Sequence, residues 1–347
     1  MTDGRTPTRA TMLCGSRDQT VLDAAEVRPR SDRRGVSSGR LLAAARWGAI
    51  LLVVLLVAGA GGAWVLSAPR PAYPDRQAPE LEGGGDPERG RVVFAAGDCS
   101  SCHASPGQPD RLRLGGGMAL DTTRGVFRPP NISPDPQDGI GRWSATDLAN
   151  ALLTGVSPSG QHYYPSLPYT SYARMAREDV RDLMAYLRTL PPVSGRPAPH
   201  DLPFVFHLRR AVGLWKLLYL DRTPIVPDPA RSGDWNRGRY LVESVAHCAE
   251  CHSDRNLAWA VKDETRFAGG PNPAGVGFAP NITPDGIGSW SEADIVKLLT
   301  TGETPGMRFV GAQMADVVAN TATLPESDRR AIASYLKSLP ARPTTTP

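Results

Sequence analysis

The sequence predicts an all-α chain, with two tandem, similar helical domains behind a single N-terminal transmembrane helix. Three observations carry that expectation. An uncharged apolar run of 22 residues extends from Trp47 to Ala68, where roughly 20 suffice to cross a bilayer as a helix. A sequence unit then occurs twice at an offset of 149 residues, marked by Cys99-Ser100-Ser101-Cys102-His103 and Cys248-Ala249-Glu250-Cys251-His252. Each unit closes with an apolar stripe, Leu183, Tyr186, Leu187 and Leu190 in one and Ile332, Tyr335, Leu336 and Leu339 in the other. That i, i+3, i+4, i+7 spacing belongs to a buried helix face.

At the N-terminus, residues 1–46 hold nine arginines, no lysine and five acids, which accounts for the whole net charge of +4. The remainder balances at 30 basic and 30 acidic residues. Polar, Arg-rich and without hydrophobic period, 1–46 is expected to be a disordered cytoplasmic tail, shorter if Met12 is the start. Arg33, Arg34, Arg40 and Arg46 precede the apolar run, and such an excess keeps the N-terminus cytoplasmic. The basic tail is therefore an orientation signal, and no nucleic-acid partner is expected. Residues 47–68 form the anchor, with Trp47 and Trp64 near its ends, where interfacial indoles are favoured. Ala58-Gly59-Ala60 would suit signal cleavage, but the apolar residues continue to Leu66, which favours an uncleaved anchor. Residues 69–84 read as an extended linker.

The duplicated unit gives domains at 85–193 and 232–342. Arg89-Gly90-Arg91 and Arg237-Gly238-Arg239 each open a short helix leading into the cysteine motif. Pro130-Asn131-Ile132-Ser133-Pro134-Asp135 matches Pro280-Asn281-Ile282-Thr283-Pro284-Asp285, and Gly139 to Ser144 matches Gly286 to Ser291. Ser144 and Ser291 are expected to cap a middle helix. Glu178, Asp179, Glu326 and Asp328 fall in the first turns of the closing helices, and Pro191 and Pro340 stop them. With 35 glycines and 33 prolines, long loops are expected between short helices. A Pro-rich connector, 194–231, joins the domains. Its apolar stretches Phe204-Val205-Phe206 and Leu214 to Leu220 are expected to pack between them; the competing role is a docking surface for a partner or the bilayer.

C-x-x-C-H is the attachment motif for c-type haem. Cys99 and Cys102, and likewise Cys248 and Cys251, are spaced to bond the two vinyl groups on one porphyrin edge. His103 and His252 then stand to bind each iron from the proximal side. A zinc knuckle is the alternative use of paired cysteines, but both pairs carry the adjacent histidine and lie far apart. The fifth cysteine, Cys14, stands alone, so no pair remains for a disulfide. Methionine opposite histidine suits an electron-transfer haem. In the second domain Met314, expected in a loop spanning 311–315, is favoured over Met307. In the first, Met118 comes too early and Met184 lies within the closing helix. That leaves Met175, with His162 as its rival.

The haem motifs, the P-N-I-[ST]-P-D and G-I-G-x-W-S blocks, and Tyr164 to Met175 together resemble the multihaem cytochrome c subunits of membrane-bound alcohol, gluconate and sugar dehydrogenases. Leu202 to Phe206 and Gly213 to Leu218 are similar to theirs too, so the resemblance spans roughly residues 85–342. It implies two cytochrome c domains, two covalent haem c groups, and electron transfer on the periplasmic side of the inner membrane. The donor would be a periplasmic dehydrogenase, and the acceptor quinone, a soluble cytochrome or a terminal oxidase. Those subunits commonly carry a third haem domain, absent here, and many have methionine where Leu167 stands. An electron carrier with no substrate chemistry of its own is thus expected. The competing readings are a haem enzyme, such as a dihaem peroxidase or sulfur-compound (thiosulfate) dehydrogenase, and a redox sensor with the tail as output.

Overall fold

The computed structural model describes residues 38–81 and 83–345. The expectations for Met12, Cys14, Arg33, Arg34 and most of the tail lie outside them. Helix α1 runs Ser38–Leu66, so it begins within the stretch 38–46 expected to be irregular. Leu41, Leu42 and Ala43 to Ala45 are strong helix formers and carry the helix back from the apolar run. It is the one described helix long and apolar enough to cross a membrane, with a mean hydropathy of 2.5.

The chain divides within α1, and Ala58–Pro347 form one compact unit. The first copy contains α2 (Pro87–Ala96), α3 (Cys99–His103), a hairpin of β1 (Leu120–Thr122) and β2 (Gly125–Phe127), α4 (Ala145–Thr154), α5 (Tyr169–Tyr172) and α6 (Arg177–Leu187). Helix α7 (Arg210–Tyr219) lies in the connector. The second copy contains α8 (Gly233–Tyr240), a hairpin of β3 (Gly270–Pro271) and β4 (Phe278–Ala279), α9 (Pro284–Ile287), α10 (Glu292–Thr301), α11 (Gln313–Thr321) and α12 (Glu326–Lys337). The fold is largely helical, but the two antiparallel hairpins correct the expectation of an all-α chain. Gly125, at φ +112, closes the first of them, and a Cβ there would lie 2.5 Å from the Asp201 carbonyl oxygen.

In each copy the opening helix packs on the closing one, α2 on α6 and α8 on α12. The contact is close because a glycine sits at it. A Cβ on Gly90 would stand 1.9 Å from the Asp182 carbonyl oxygen, and one on Gly238 1.9 Å from that of Ala331. Beside each glycine an edge-on aromatic pair closes the contact, Phe94–Tyr186 and Trp235–Tyr335, both at 5.3 Å. Arg89 reaches Asp182 at 2.9 Å, and Arg237 grips Asp328 with two bonds. The stripes run as their spacing predicts: Leu183, Leu187, Ile332 and Leu336 are buried. Ser144 and Ser291 cap α4 and α10 in full capping boxes with Asp147 and Asp294, and Gly155 and Gly302 end those helices.

The glycines are 148 residues apart, the haem motifs 149. The extra residue of the second copy is absorbed in a π-helical turn, Leu241–Val245, between α8 and its motif. Such a turn accommodates one inserted residue without breaking the helix.

Two expectations about connecting segments change. Residues 69–84 are not a free linker. Ala78 and Leu81 are buried in the core, the Tyr73 amide donates to the Asn150 side chain at 2.8 Å, and Arg76 pairs with Asp147. The connector packs only in part. Gly213 is buried, and the Trp215 indole donates to the Ala258 carbonyl at 2.8 Å, but Phe204, Val205, Leu217 and Leu218 are exposed.

Candidate functional site

On the proximal side the two copies are built alike. His103 Nδ1 lies 2.8 Å from the Pro130 carbonyl oxygen and His252 Nδ1 2.7 Å from that of Pro280. A carbonyl only accepts, so each Nδ1 carries the proton and the Nε2 lone pair is left for a metal. This is how protein-bound histidine ligands are commonly oriented. Burial, opposed by that hydrogen bond, holds both imidazoles below the usual histidine range. They are therefore neutral near pH 7, as a ligand must be.

The P-N-I-[ST]-P-D block explains the position of those carbonyls. Buried Asn131 accepts from the Ser133 amide and donates to the carbonyls of Val193 and Gly195. Asn281 does the same with the Thr283 amide, the Arg342 carbonyl and the Thr344 hydroxyl. Each asparagine thus ties the turn that carries the proline carbonyl to the strand leaving the last helix. Gly116, at φ +70, donates its amide to the His103 carbonyl, and a Cβ there would sit 2.5 Å from the Pro130 oxygen. In the sequence the block stands out by its repetition, but nothing there gives it a role.

The four motif cysteines are free thiols. Burial pushes Cys99, Cys102 and Cys248 up to about 12 and Cys251 to about 11. Neighbouring negative charge, Asp98 beside the first pair and Glu250 beside Cys251, adds to it. Among the described residues no three His, Cys, Asp or Glu side chains are grouped to hold a metal ion. The donor set does fit haem: two thiols, a correctly protonated imidazole beside them and, on other elements, buried sulfur.

The two motifs face one another. The charge of Cys251 reaches Cys102, and that of Asp98 reaches Cys251. The residues before the first cysteines, Asp98 and His247, are both in the left-handed region, at φ 53 and 40. His247 Nε2 lies 3.3 Å from the Gly97 carbonyl oxygen, to which the Tyr172 hydroxyl donates at 2.9 Å. Each copy also braces the other's motif. From α5, the hydroxyls of Thr170 and Ser171 donate to Glu250 Oε1 at 2.5 and 3.2 Å. From α11, Asn320 accepts from the Ser100 hydroxyl at 2.8 Å and donates to Ser101 Oγ at 3.0 Å and to Asp98. Ser171 and Asn320 stand at equivalent positions of the repeat, as do Ser101 and Glu250. Against the upward push of burial, the Arg255 guanidinium at 2.7 Å and the Thr170 hydroxyl hold Glu250 below the usual carboxylate range. None of these braces had a sequence signal beyond the repeat offset.

The methionines separate. Met175 is buried in the turn after α5, its amide bonded to the Tyr172 carbonyl, and lines a cavity of about 180 Å³ with Ala173, Ala176 and Pro224. Met314 lies in the first turn of α11 rather than in a loop, half-buried against the core. The strained Ala312, at φ 50, starts that helix earlier than the glycine-led sequence suggests. Met307 is 81% exposed and Met184 is core. His162, the rival to Met175, has both ring nitrogens engaged: Nε2 with the Ser67 carbonyl oxygen at 2.9 Å and Nδ1 with Lys216 Nζ at 3.1 Å.

The family model "Cytochrome c" matches residues 87–191. A "Diheme cytochrome c-type" from Cereibacter sphaeroides is 50% identical over 84% of this chain and 97% of its own length. A nicotinate dehydrogenase subunit of Pseudomonas putida is 41% identical over 74% of the chain and 21% of its own length. The fructose dehydrogenase cytochrome subunit of Gluconobacter japonicus is 36% identical over 84% of the chain. Cytochrome c subunits of alcohol and gluconate dehydrogenases match as well. The chain spans 59% of the fructose dehydrogenase subunit and 21% of the nicotinate one. It belongs to the dihaem c-type cytochromes of the cytochrome c family.

Proposed function

We propose that the chain is a membrane-anchored dihaem c-type cytochrome. It would take electrons from a dehydrogenase on the periplasmic side and pass them to a respiratory-chain acceptor: quinone, a soluble cytochrome or a terminal oxidase. Two tandem cytochrome c domains, 85–193 and 232–342, would each hold one covalent haem, through Cys99 and Cys102 in the first and Cys248 and Cys251 in the second. His103 and His252 would bind the irons proximally, with Met175 and Met314 opposite. Helix α1 would anchor the chain in the inner membrane. When bound, haem supplies one-electron chemistry; the protein supplies its potential, position and exclusion of water.

The observation that carries this reading is the direct abutment of the two motifs. A residue beside one motif bonds the backbone beside the other, and each copy's distal segment grips the other's motif. Such a joint fixes the distance and orientation of two redox groups, which an electron relay needs and an isolated substrate site does not. The neutral imidazoles add to it, since the Pro130 and Pro280 carbonyls hold both rings in the ligand tautomer.

Spectroscopy of the holoprotein tests this. The expected result is two haems per chain and a near-infrared charge-transfer band of His/Met ligation from both. A five-coordinate haem, or rapid turnover of peroxide, would replace the carrier with an enzyme. A Cys99→Ser, Cys102→Ser variant should retain one haem, in the second domain.

A further inference from the structure

The connector leaves a group of large apolar side chains uncovered. Phe204 is 90% exposed, Leu218 76% and Val205 70%, with Leu208 and Leu217 beside them in the chain. On α7, Leu214, Leu217 and Leu218 share the outward stripe, while Gly213 and Trp215 face inward. So many exposed large apolar side chains within one short segment normally mark a contact.

The position of this segment points to what covers it. The first turn of α7 is fastened to the end of α1: the Arg210 guanidinium lies over the Trp64 ring at 4.1 Å and donates to the Trp64 carbonyl. Gly213 packs on the next turn, where a Cβ would meet the Ser67 carbonyl oxygen at 2.2 Å. That same oxygen is held by His162. Three separate contacts therefore fix α7 at the end of the apolar helix. Charge agrees with position. Between Asp201 and Asp221 no acidic residue occurs, while Arg209, Arg210 and Lys216 do. The three cations turn onto protein partners, Arg209 to Tyr164, Arg210 to Trp64 and Lys216 to the carbonyls of Thr154 and Gly155, and leave an uncharged apolar face of the kind that seats in a bilayer interface.

We propose that Phe204, Val205, Leu208, Leu217 and Leu218 seat in the headgroup–acyl boundary of the bilayer that α1 crosses. This rests on the reading of α1 as an uncleaved anchor and extends it. The chain would then hold its haem domains against the membrane at two points, the anchor and the connector, and could not swing freely about the anchor.

The test uses the full-length holoprotein in its ferric state, with no reductant present, in vesicles of phosphatidylethanolamine and phosphatidylglycerol. In a Cys14→Ser background, nitroxides are placed one at a time at Val205→Cys, Leu218→Cys and, as a charged solvent-facing control, Arg330→Cys. Haem content equal to the parent is checked first for each. The expected result is that 205 and 218 collide with oxygen in preference to a nickel chelate, with the ratio reversed at 330. Retention on the vesicles after an alkaline wash reports the anchor separately. Protein retained but with 205 and 218 as open to nickel as 330 overturns the seating and leaves the anchor standing. Protein lost in the wash overturns the anchor and the seating with it.

Discussion

The two copies of the repeat agree on the proximal side of the haem site and differ on the distal side. Each has a glycine-tight helix pair, a histidine bonded to a proline carbonyl, and an asparagine pinning the turn behind that carbonyl. The distal segments share only their place in the chain. The first is a four-residue helix followed by a buried methionine; the second is a nine-residue helix with its methionine half-exposed in the first turn. The residue before the first cysteine is an acid in one copy and a histidine in the other. Under the proposed haem attachment and histidine ligation that side would be tightly constrained, which fits the likeness. The distal side is where two otherwise equal haems can be given different potentials.

The largest effects should come from removing the sulfur. Met175→Ala and Met314→Ala should each abolish the His/Met charge-transfer signal of its own haem and spare the other. Met184→Ala should leave both signals intact while costing about 2–5 kcal/mol of stability, as expected for a buried methionine that only packs. His162→Ala should likewise spare both. Loss of the first haem's signal in the histidine variant, with Met175→Ala silent, would reverse the ligand assignment.

The proximal likeness can be challenged next. Gly90→Ala and Gly238→Ala each drive a methyl into backbone, where neither neighbour can yield. Both should lose about 3 kcal/mol in denaturant unfolding. A marked inequality would mean that the π turn beside Gly238 relieves the strain in the second copy. The reciprocal braces are smaller. Asn320→Ala leaves the buried Ser100 hydroxyl without its partner and removes one hydrogen bond from Asp98, and should cost about 1–2 kcal/mol. Glu250→Gln weakens the pairing with Arg255 and the two hydroxyl bonds from α5. It should slow electron exchange between the haems more than it lowers stability, read by flash reduction of one haem.

Much of this was legible in the sequence because it is local. A stripe at helical spacing, a serine three residues before an aspartate, and a motif repeated at fixed offset all declare themselves within a few residues. Ser144, Ser291 and the closing helices fell where their patterns placed them. What depended on distant partners was hidden. Residues 69–84 resemble a linker until Ala78 and Leu81 find the core. The connector's hydrophobicity could not say which half would be covered. The contacts of His162 with Ser67 and Lys216, 95 and 54 residues away, have no local signal. The slip from 148 to 149 was visible, but its absorption in a π turn was not. The cross-bracing left only the unremarkable alignment of Ser171 with Asn320.

The smallest expected effect bears on the acid–histidine difference. Burial raises the Asp98 carboxyl above its ordinary 3.8, against the hydrogen bonds from Ser101 and Asn320 and the nearby His247. A raised carboxyl is neutral at low pH and ionises as pH climbs through its folded-state value. The new negative charge stabilises ferric over ferrous iron, so the potential of the first haem should fall across that window. At effective dielectric values near 20, one charge about 10 Å away is worth on the order of tens of millivolts. The same linkage makes the folded state lose stability as pH rises through the window, because the unfolded chain gives up that proton more readily. Asp98→Asn should raise the first haem's potential at neutral pH and flatten its slope in mildly acidic solution. The second haem, flanked by His247 instead, should keep its own pH dependence. Redox titrations of both proteins across that range separate the two haems by their unequal slopes. Identical shifts in both would mean the field of Asp98 is shared across the joint rather than confined to one side.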